Sequence, residues 1–268
     1  MKTISLALAL LLSASAAVAQ KRSSPPSKAE LAEITERGRA LAEYDVAAWH
    51  ATDAVLALKP DEGSVTRYVA RKTGDRWVVV FGRLNEKRDK FLVVYEAAQG
   101  AGPREFSVKK HETPQEDAGF YLNAARAIDT VLADFKGERR PYNVAALPAA
   151  AGRFYVYVVP AQTEQGVFPL GGDARYLVSA DGSKVVEKRQ LHKSIIEFKA
   201  PPDVAGVADS FHIAVLDNVP EDTDVFHVLS RKPLVPEWVG TEQYVYRIEA
   251  DGTITYVMTT EEFRKKKE

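Results

Sequence analysis

The sequence predicts an α+β fold in which two main helices, about 28–58 and 114–136, pack on a mainly antiparallel β-sheet. Both helical segments carry apolar residues at alternating steps of three and four, the spacing of a buried helical stripe. Around them lie short runs rich in β-branched and aromatic residues, joined by connections too short for a parallel crossover. A chain of 268 residues can bury a sizeable core. We expect a single compact domain over 28–260, with a possible sub-boundary near 97–105, where the residues turn small and flexible.

The first residues have the pattern of a secretory signal peptide. A basic residue precedes the apolar run Ile4 to Leu12, and Ala17-Val18-Ala19 forms an A-x-A cleavage site. We therefore predict that 1–19 is a signal peptide cleaved after Ala19, that 20–27 is a flexible leader, and that the protein is periplasmic or secreted. The chain has no cysteine, which excludes disulfides, thiolate chemistry and a lipid-anchored cysteine.

The charge balance argues against a nucleic-acid partner. The chain has 36 Lys and Arg against 37 Asp and Glu, and cleavage removes Lys2, which leaves 35 against 37. A nearly neutral chain lacks the electrostatic footprint of a nucleic-acid binder. No apolar run reaches the roughly 20 residues of a transmembrane segment. The residues 261–268 form a charged tail, which we interpret as a solvated end.

The first helix is predicted from its start signal and its apolar stripe. Ser27 and Glu30 have the spacing of a capping box, in which the hydroxyl accepts from the amide three residues on. Pro60 ends the helix because the residue before a proline avoids helical angles. A helix over 28–58 is long, at roughly 45 Å, so we allow a bend near Gly38.

Three strand-like runs follow, at 65–72, 76–84 and 91–96, and their short connections predict an antiparallel meander. In the middle run, Trp77, Val79 and Phe81 alternate with Val78 and Val80. This pattern indicates a central strand that is covered on both faces, and the first helix is the natural cover for one of them.

The second helix is predicted from a second capping-box spacing. Thr113-Pro114-Gln115-Glu116 places a proline at the first helical position, after a short strand candidate at 106–109. The residues that follow have a helical apolar stripe, and Gly137 is a typical helix stop.

From residue 142 onward the pattern is that of strands. Asp181-Gly182 and Asp251-Gly252 predict two hairpin turns because this dipeptide tolerates positive φ angles. The runs that we assign as strands are 142–147, 154–159, 175–179, 184–192, 195–198, 244–249 and 253–258. His192 ends one of these runs and has no partner at ligand spacing. The loop 168–173 is interpreted as a wide turn.

The segment 211–231 gathers the strongest candidates for a metal site. If it forms a hairpin in which Leu216 faces Val225, then His212 and His227 lie on one face, about 7 to 8 Å apart. Asp217 and Asp224 then lie at the hairpin mouth and offer oxygen ligands for zinc or a similar divalent ion. The alternative is a hairpin with two hydrogen-bonded histidines and a solvated acidic loop. A register slip of one residue would separate the histidines.

A second candidate pair lies on the first helix. His50 precedes Asp53 by three residues, so the carboxylate could orient the imidazole as in a general-base pair. The structural alternative is the border between the buried and the solvated faces of an amphipathic helix.

These observations favour an exported soluble module of the bacterial envelope that is a non-enzymatic binding or interaction protein. Its partner would be a small molecule, a polysaccharide or a protein. The sequence predicts no cofactor other than the divalent metal of the candidate site. HExxH and GxSxG motifs are absent from the sequence. The alternatives are a divalent-metal-dependent hydrolase that uses His212 and His227, and a structural envelope protein.

Overall fold

The computed structural model describes residues 21–199 and 209–266 and confirms the α+β class. The predicted signal peptide therefore lies outside the described residues. The helices in the described ranges are α1 (Lys28–Leu56), α2 (Phe120–Asp134), α3 (Asp222–Ser230) and α4 (Thr260–Lys265). None of these helices is long and apolar enough to cross a membrane.

The predicted meander is confirmed and gains a fourth strand. Its strands are β1 (Arg67–Thr73), β2 (Arg76–Leu84), β3 (Phe91–Gln99) and β4 (Phe106–Asp117), paired antiparallel in chain order. Trp77, Val79 and Phe81 pack against α1, whereas Val80 packs against α2, so both faces of β2 are covered as expected. The stretch 97–105 contains the end of β3 and its connection to β4, within this one sheet.

The predicted start of the second helix is wrong. Residues 114–117 belong to β4, because Gln115, Glu116 and Asp117 pair with β3, and α2 begins at Phe120. The pairing register shifts between Val93 and Tyr95, and Pro114 lies in the stretch of β4 that this shift leaves unpaired. The Asp117 side chain then accepts from the amide of Leu122 at 2.9 Å and satisfies a free donor at the helix start.

Two further four-stranded sheets and one two-stranded sheet follow. The second sheet has the order β5-β6-β8-β9, from β5 (Tyr142–Pro148), β6 (Phe154–Pro160), β8 (Ala174–Val178) and β9 (Val185–Gln190). The small sheet pairs β7 (Val167–Leu170), which the sequence had suggested as a turn, with β10 (Ile196–Lys199). The third sheet has the order β11-β12-β13-β14, from β11 (Ser210–Ile213), β12 (Glu237–Gly240), β13 (Tyr244–Ile248) and β14 (Ile254–Thr259). Both predicted Asp-Gly hairpins are confirmed.

The predicted hairpin over 211–231 is wrong. β11 does not turn back on itself: it pairs parallel with β12, and Phe211 lies opposite Trp238. The acidic connector leads instead into α3, so Leu216 and Val225 are not strand partners. A capping box starts this helix, in which the Glu221 side chain accepts from the amide of Asp224 and the Asp224 side chain accepts from that of Glu221.

A close contact between α1 and α3 places α3 against the body of the protein. The long helix α1 is continuous from Lys28 to Leu56, and Ser27 accepts from the amide of Glu30 as predicted. Gly38 does not interrupt the helix. A Cβ atom there would lie 2.5 Å from the Asp222 carbonyl oxygen and 2.5 Å from the Val225 Cβ, so the glycine allows the two helices to approach.

The ends of the described chain are also held by contacts. The backbone of Arg22, in the predicted leader, exchanges two hydrogen bonds with the Gln243 side chain, at 2.7 and 2.8 Å. At the other end the charged tail begins within α4, which Thr259 caps.

Candidate functional site

Three elements that are far apart in the sequence converge on one buried cluster of side chains. His192 follows β9, His212 lies on β11, and Asp224 is in the first turn of α3. The parallel pairing of β11 with β12 and the packing of α3 on α1 bring them together. We call His192, His212 and Asp224 the buried triad.

The ligand atoms of the buried triad point toward one another. His192 Nε2 lies 2.9 Å and His212 Nε2 lies 3.1 Å from Asp224 Oδ1. The side chains are 8%, 2% and 0% exposed, respectively. None of these three atoms has a hydrogen bond of acceptable alignment within the described part of the chain. Buried polar atoms almost always have aligned hydrogen bonds, so three ligand atoms that meet without one are an unusual arrangement.

Each imidazole of the buried triad is fixed from behind by a second carboxylate. His192 Nδ1 lies 3.0 Å from Asp173 Oδ1, and the backbone amide of His192 donates to the same oxygen. His212 Nδ1 lies 2.8 Å from Glu237 Oε1. A carboxylate that accepts from Nδ1 leaves Nε2 free of its proton and aimed forward, which is the usual arrangement behind a metal-bound histidine.

The helix start holds Asp224 with one oxygen free. Asp224 Oδ2 accepts from the Glu221 amide at 2.7 Å, the reciprocal half of the capping box. That bond fixes the carboxylate plane, and Oδ1 is left to face the two histidines. The local signal for a helix thus also sets the orientation of the third ligand atom.

The charges around the buried triad raise the pKa of both histidines. Burial alone would lower the pKa of His192, but the carboxylates of Asp173 and Asp224 hold it well above its usual range. For His212, Asp224 and Glu237 outweigh burial and raise the pKa to about 9. Burial opposes ionisation of Asp224, yet the two imidazoles keep its pKa well below the usual range. Without a metal ion, two imidazolium protons would therefore neutralise this site.

Glu237 extends the network to His227 and Arg231. Its Oε2 lies 3.0 Å from His227 Nδ1 and 3.0 Å from Arg231 Nη2. The His227 ring packs on the Phe198 ring at 4.6 Å, and its Nε2 is buried without a hydrogen bond in the described structure. Burial lowers the pKa of His227 despite Glu237, so this imidazole is neutral at pH 7.

The predicted metal ligands fall into two groups. His212 and Asp224 belong to the buried triad. His227 lies on the far side of Glu237, outside the triad. Asp217 forms an ion pair with Arg189 at 2.7 Å, and the same guanidinium binds Glu221. Asp217 and His227 thus surround the site rather than complete it.

The two residues of the second predicted pair have separate surroundings in the structure. The His50 ring stacks on Trp49 at a centroid distance of 4.8 Å, and Asp53 is exposed. No hydrogen bond or ion pair joins the His50 and Asp53 side chains in the described ranges. Both lie on the outer face of α1, which agrees with the border of an amphipathic helix.

Sequence reasoning missed His192, Asp173 and Glu237. These residues meet the triad only through the tertiary fold, and none has a local spacing that indicates a ligand. One signal was readable: Glu221 and Asp224 have capping-box spacing after Pro220 and predict a helix start rather than a hairpin loop.

Comparisons with known proteins add no functional assignment. No protein-family model, curated protein or solved structure matches this chain. The interpretation of the site therefore rests on its geometry and its chemistry.

Proposed function

We propose that this protein is an exported binding protein for a divalent metal ion, held by His192 Nε2, His212 Nε2 and Asp224 Oδ1. The observation that carries the proposal is the convergence of three buried ligand atoms without an aligned hydrogen bond. Export rests on the sequence pattern of 1–19.

The spacing of the ligand atoms supports a small divalent ion. Ligands about 2.0 to 2.1 Å from zinc lie roughly 3.3 Å apart in a tetrahedral site. The histidine nitrogens lie 2.9 and 3.1 Å from Asp224 Oδ1, so small rotations of the rings would reach that spacing. Two imidazoles and one carboxylate suit Zn²⁺, with Co²⁺, Fe²⁺ and Ni²⁺ as chemically similar competitors.

The charge balance supports the same ion. The network contains three buried carboxylates, Asp173, Asp224 and Glu237, and one guanidinium, that of Arg231, which pairs with Glu237. This set leaves two negative charges that require compensation, because isolated buried charges are costly. One divalent cation supplies the same charge as two imidazolium protons, so metal binding would exchange ring protons for the ion.

Burial of the ligands favours a binding or structural role over catalysis. Each side chain of the triad is less than a tenth exposed, so a substrate would have to displace protein atoms to reach the ion. The second candidate function is a metal-dependent hydrolase. It is favoured by one feature, because three protein ligands leave a fourth coordination position, as in catalytic zinc sites. In that case His227 would lie beside the centre rather than on the metal.

The test is metal binding by the chain that lacks 1–19. We expect one Zn²⁺ per chain by elemental analysis after gel filtration, and a fall in the thermal midpoint on chelation, because an ion that binds the native state stabilises it. Asp224→Asn and His212→Gln should each weaken binding at least ~100-fold, since each removes a ligand.

A matched control is His227→Gln, which changes a buried imidazole on the same network but leaves all three ligands. It should weaken binding by less than about tenfold. If a ligand variant fails to fold, the visible spectrum of the wild-type Co²⁺ complex still reports imidazole coordination. The proposal fails if the wild-type chain binds no divalent ion, or if His227→Gln and Asp224→Asn reduce affinity equally. Ester or phosphoester hydrolysis that requires the ion would favour the second candidate.

A further inference from the structure

The third sheet ends at an exposed edge that is rich in apolar side chains. β11 is the first strand in the order β11-β12-β13-β14, and no strand in the described ranges pairs with its outer side. The amide of Ser210 donates to the carbonyl of Pro236, just before β12, at 3.0 Å, and the amide of Ala214 donates to that of Gly240 at 2.8 Å. The backbone groups of Phe211 and Ile213 alternate with these and therefore point away from β12.

Side chains alternate along the same stretch. His212 and Ala214 are buried, whereas Phe211, Ile213 and Val215 are 47%, 61% and 56% exposed. A strand edge with unpaired backbone groups and a row of exposed apolar side chains is a template for pairing with another strand. Monomeric proteins normally protect such edges with charges, prolines or bulges.

Two opposite charges flank this row. Glu242 and Arg264 line a hollow of about 360 Å³ beside Phe211 and Ile213. Neither side chain forms an ion pair with any residue that the structure describes. An apolar row with one unpaired anion and one unpaired cation is self-complementary, as a twofold-symmetric interface requires.

We propose that this edge binds a second copy of the chain, through antiparallel pairing of β11 with the β11 of its partner. Twofold symmetry makes the pairing antiparallel and joins two four-stranded sheets into one. In the dimer the Phe211, Ile213 and Val215 side chains of the two copies lie side by side on one face of the joined sheet, and Arg264 of each copy lies against Glu242 of the other. The surface is independent of the buried triad, because His212 points to the opposite side of β11.

The test is sedimentation velocity of the chain that lacks 1–19. We expect a concentration-dependent dimer, populated at about 100 µM or below. Ile213→Asp should give a monomer with the circular dichroism spectrum of the wild type, because the side chain is exposed. Leu56→Asp is the control: Leu56 is 58% exposed on α1, away from the edge, and this variant should still form dimers.

Charge reversal distinguishes this interface from any other. Arg264→Glu and Glu242→Arg should each weaken the dimer, and the two changes combined should restore it. A wild-type chain that is monomeric at about 100 µM would overturn the proposal. A dimer that survives Ile213→Asp, or is not restored by the combined reversal, would also overturn it.

Discussion

Replacement of Gly38 by alanine should destabilise the protein although it improves the helix. Alanine is favoured over glycine in a helix interior by about 1 kcal/mol. At this position, however, the added Cβ would lie 2.5 Å from the Asp222 carbonyl oxygen and 2.5 Å from the Val225 Cβ. Carbon atoms pack at about 3.5 to 4.0 Å, so α3 must move away by about 1 Å. Overpacking of this kind costs about 1 to 3 kcal/mol. The cost lies at the upper end because the Asp222 carbonyl and the Val225 Cβ are both fixed to the backbone of α3.

We therefore expect a net loss of about 1 to 2 kcal/mol in the free energy of unfolding, measured by urea denaturation. Ala32→Gly, at an exposed position of the same helix, measures the difference in helix propensity without any close contact. It should lower the free energy of unfolding by about 1 kcal/mol. Because α3 carries Asp224, Gly38→Ala should also weaken metal binding. A stability gain of about 1 kcal/mol for Gly38→Ala would refute the close contact.

Three further predictions concern other parts of the molecule. Burial raises the pKa of Asp45 to about 6 despite a hydrogen bond from Asn143, so the folded state holds this proton more tightly than the unfolded chain. The free energy of unfolding should therefore fall as pH rises from about 4 to 6. In urea denaturation, Asp45→Asn should raise this free energy by about 1 to 3 kcal/mol at pH 7.5 but leave it unchanged below pH 4. An equal gain at both pH values would contradict this prediction. Glu237→Gln keeps all three ligands but removes the carboxylate behind His212, and should weaken Zn²⁺ binding about 10- to 100-fold by calorimetry; unchanged affinity would exclude that role. His50→Ala and Asp53→Ala should leave Zn²⁺ affinity unchanged, and a loss in either variant would point to a site on α1.

Local signals predicted the parts of the fold that local physics determines. Ser27 caps α1, the short turns give an antiparallel meander, and Asp181-Gly182 and Asp251-Gly252 form hairpins. Each of these features depends on residues within a few positions of one another. The alternation along β2 also identified both covered faces, because burial imposes that pattern directly.

Tertiary pairing decided the parts that the sequence did not predict. Thr113 and Glu116 have the spacing of a helix start, but pairing with β3 keeps 106–117 extended. The parallel pairing of β11 with β12 requires a helix between them, which no hairpin pattern can indicate.

The candidate site was only half predictable for the same reason. His212 and Asp224 lie within one short segment of the sequence, so they could be predicted to lie near each other. His192 follows β9 of another sheet, and only the completed fold brings its ring to the same point.

The most direct test of the metal centre is X-ray absorption at the zinc edge of the 1:1 Zn²⁺ complex. The structure predicts two imidazole ligands and an oxygen ligand at about 2.0 to 2.1 Å, with one imidazole lost in His192→Gln. A spectrum of oxygen ligands alone, or one that His192→Gln does not change, would contradict the site.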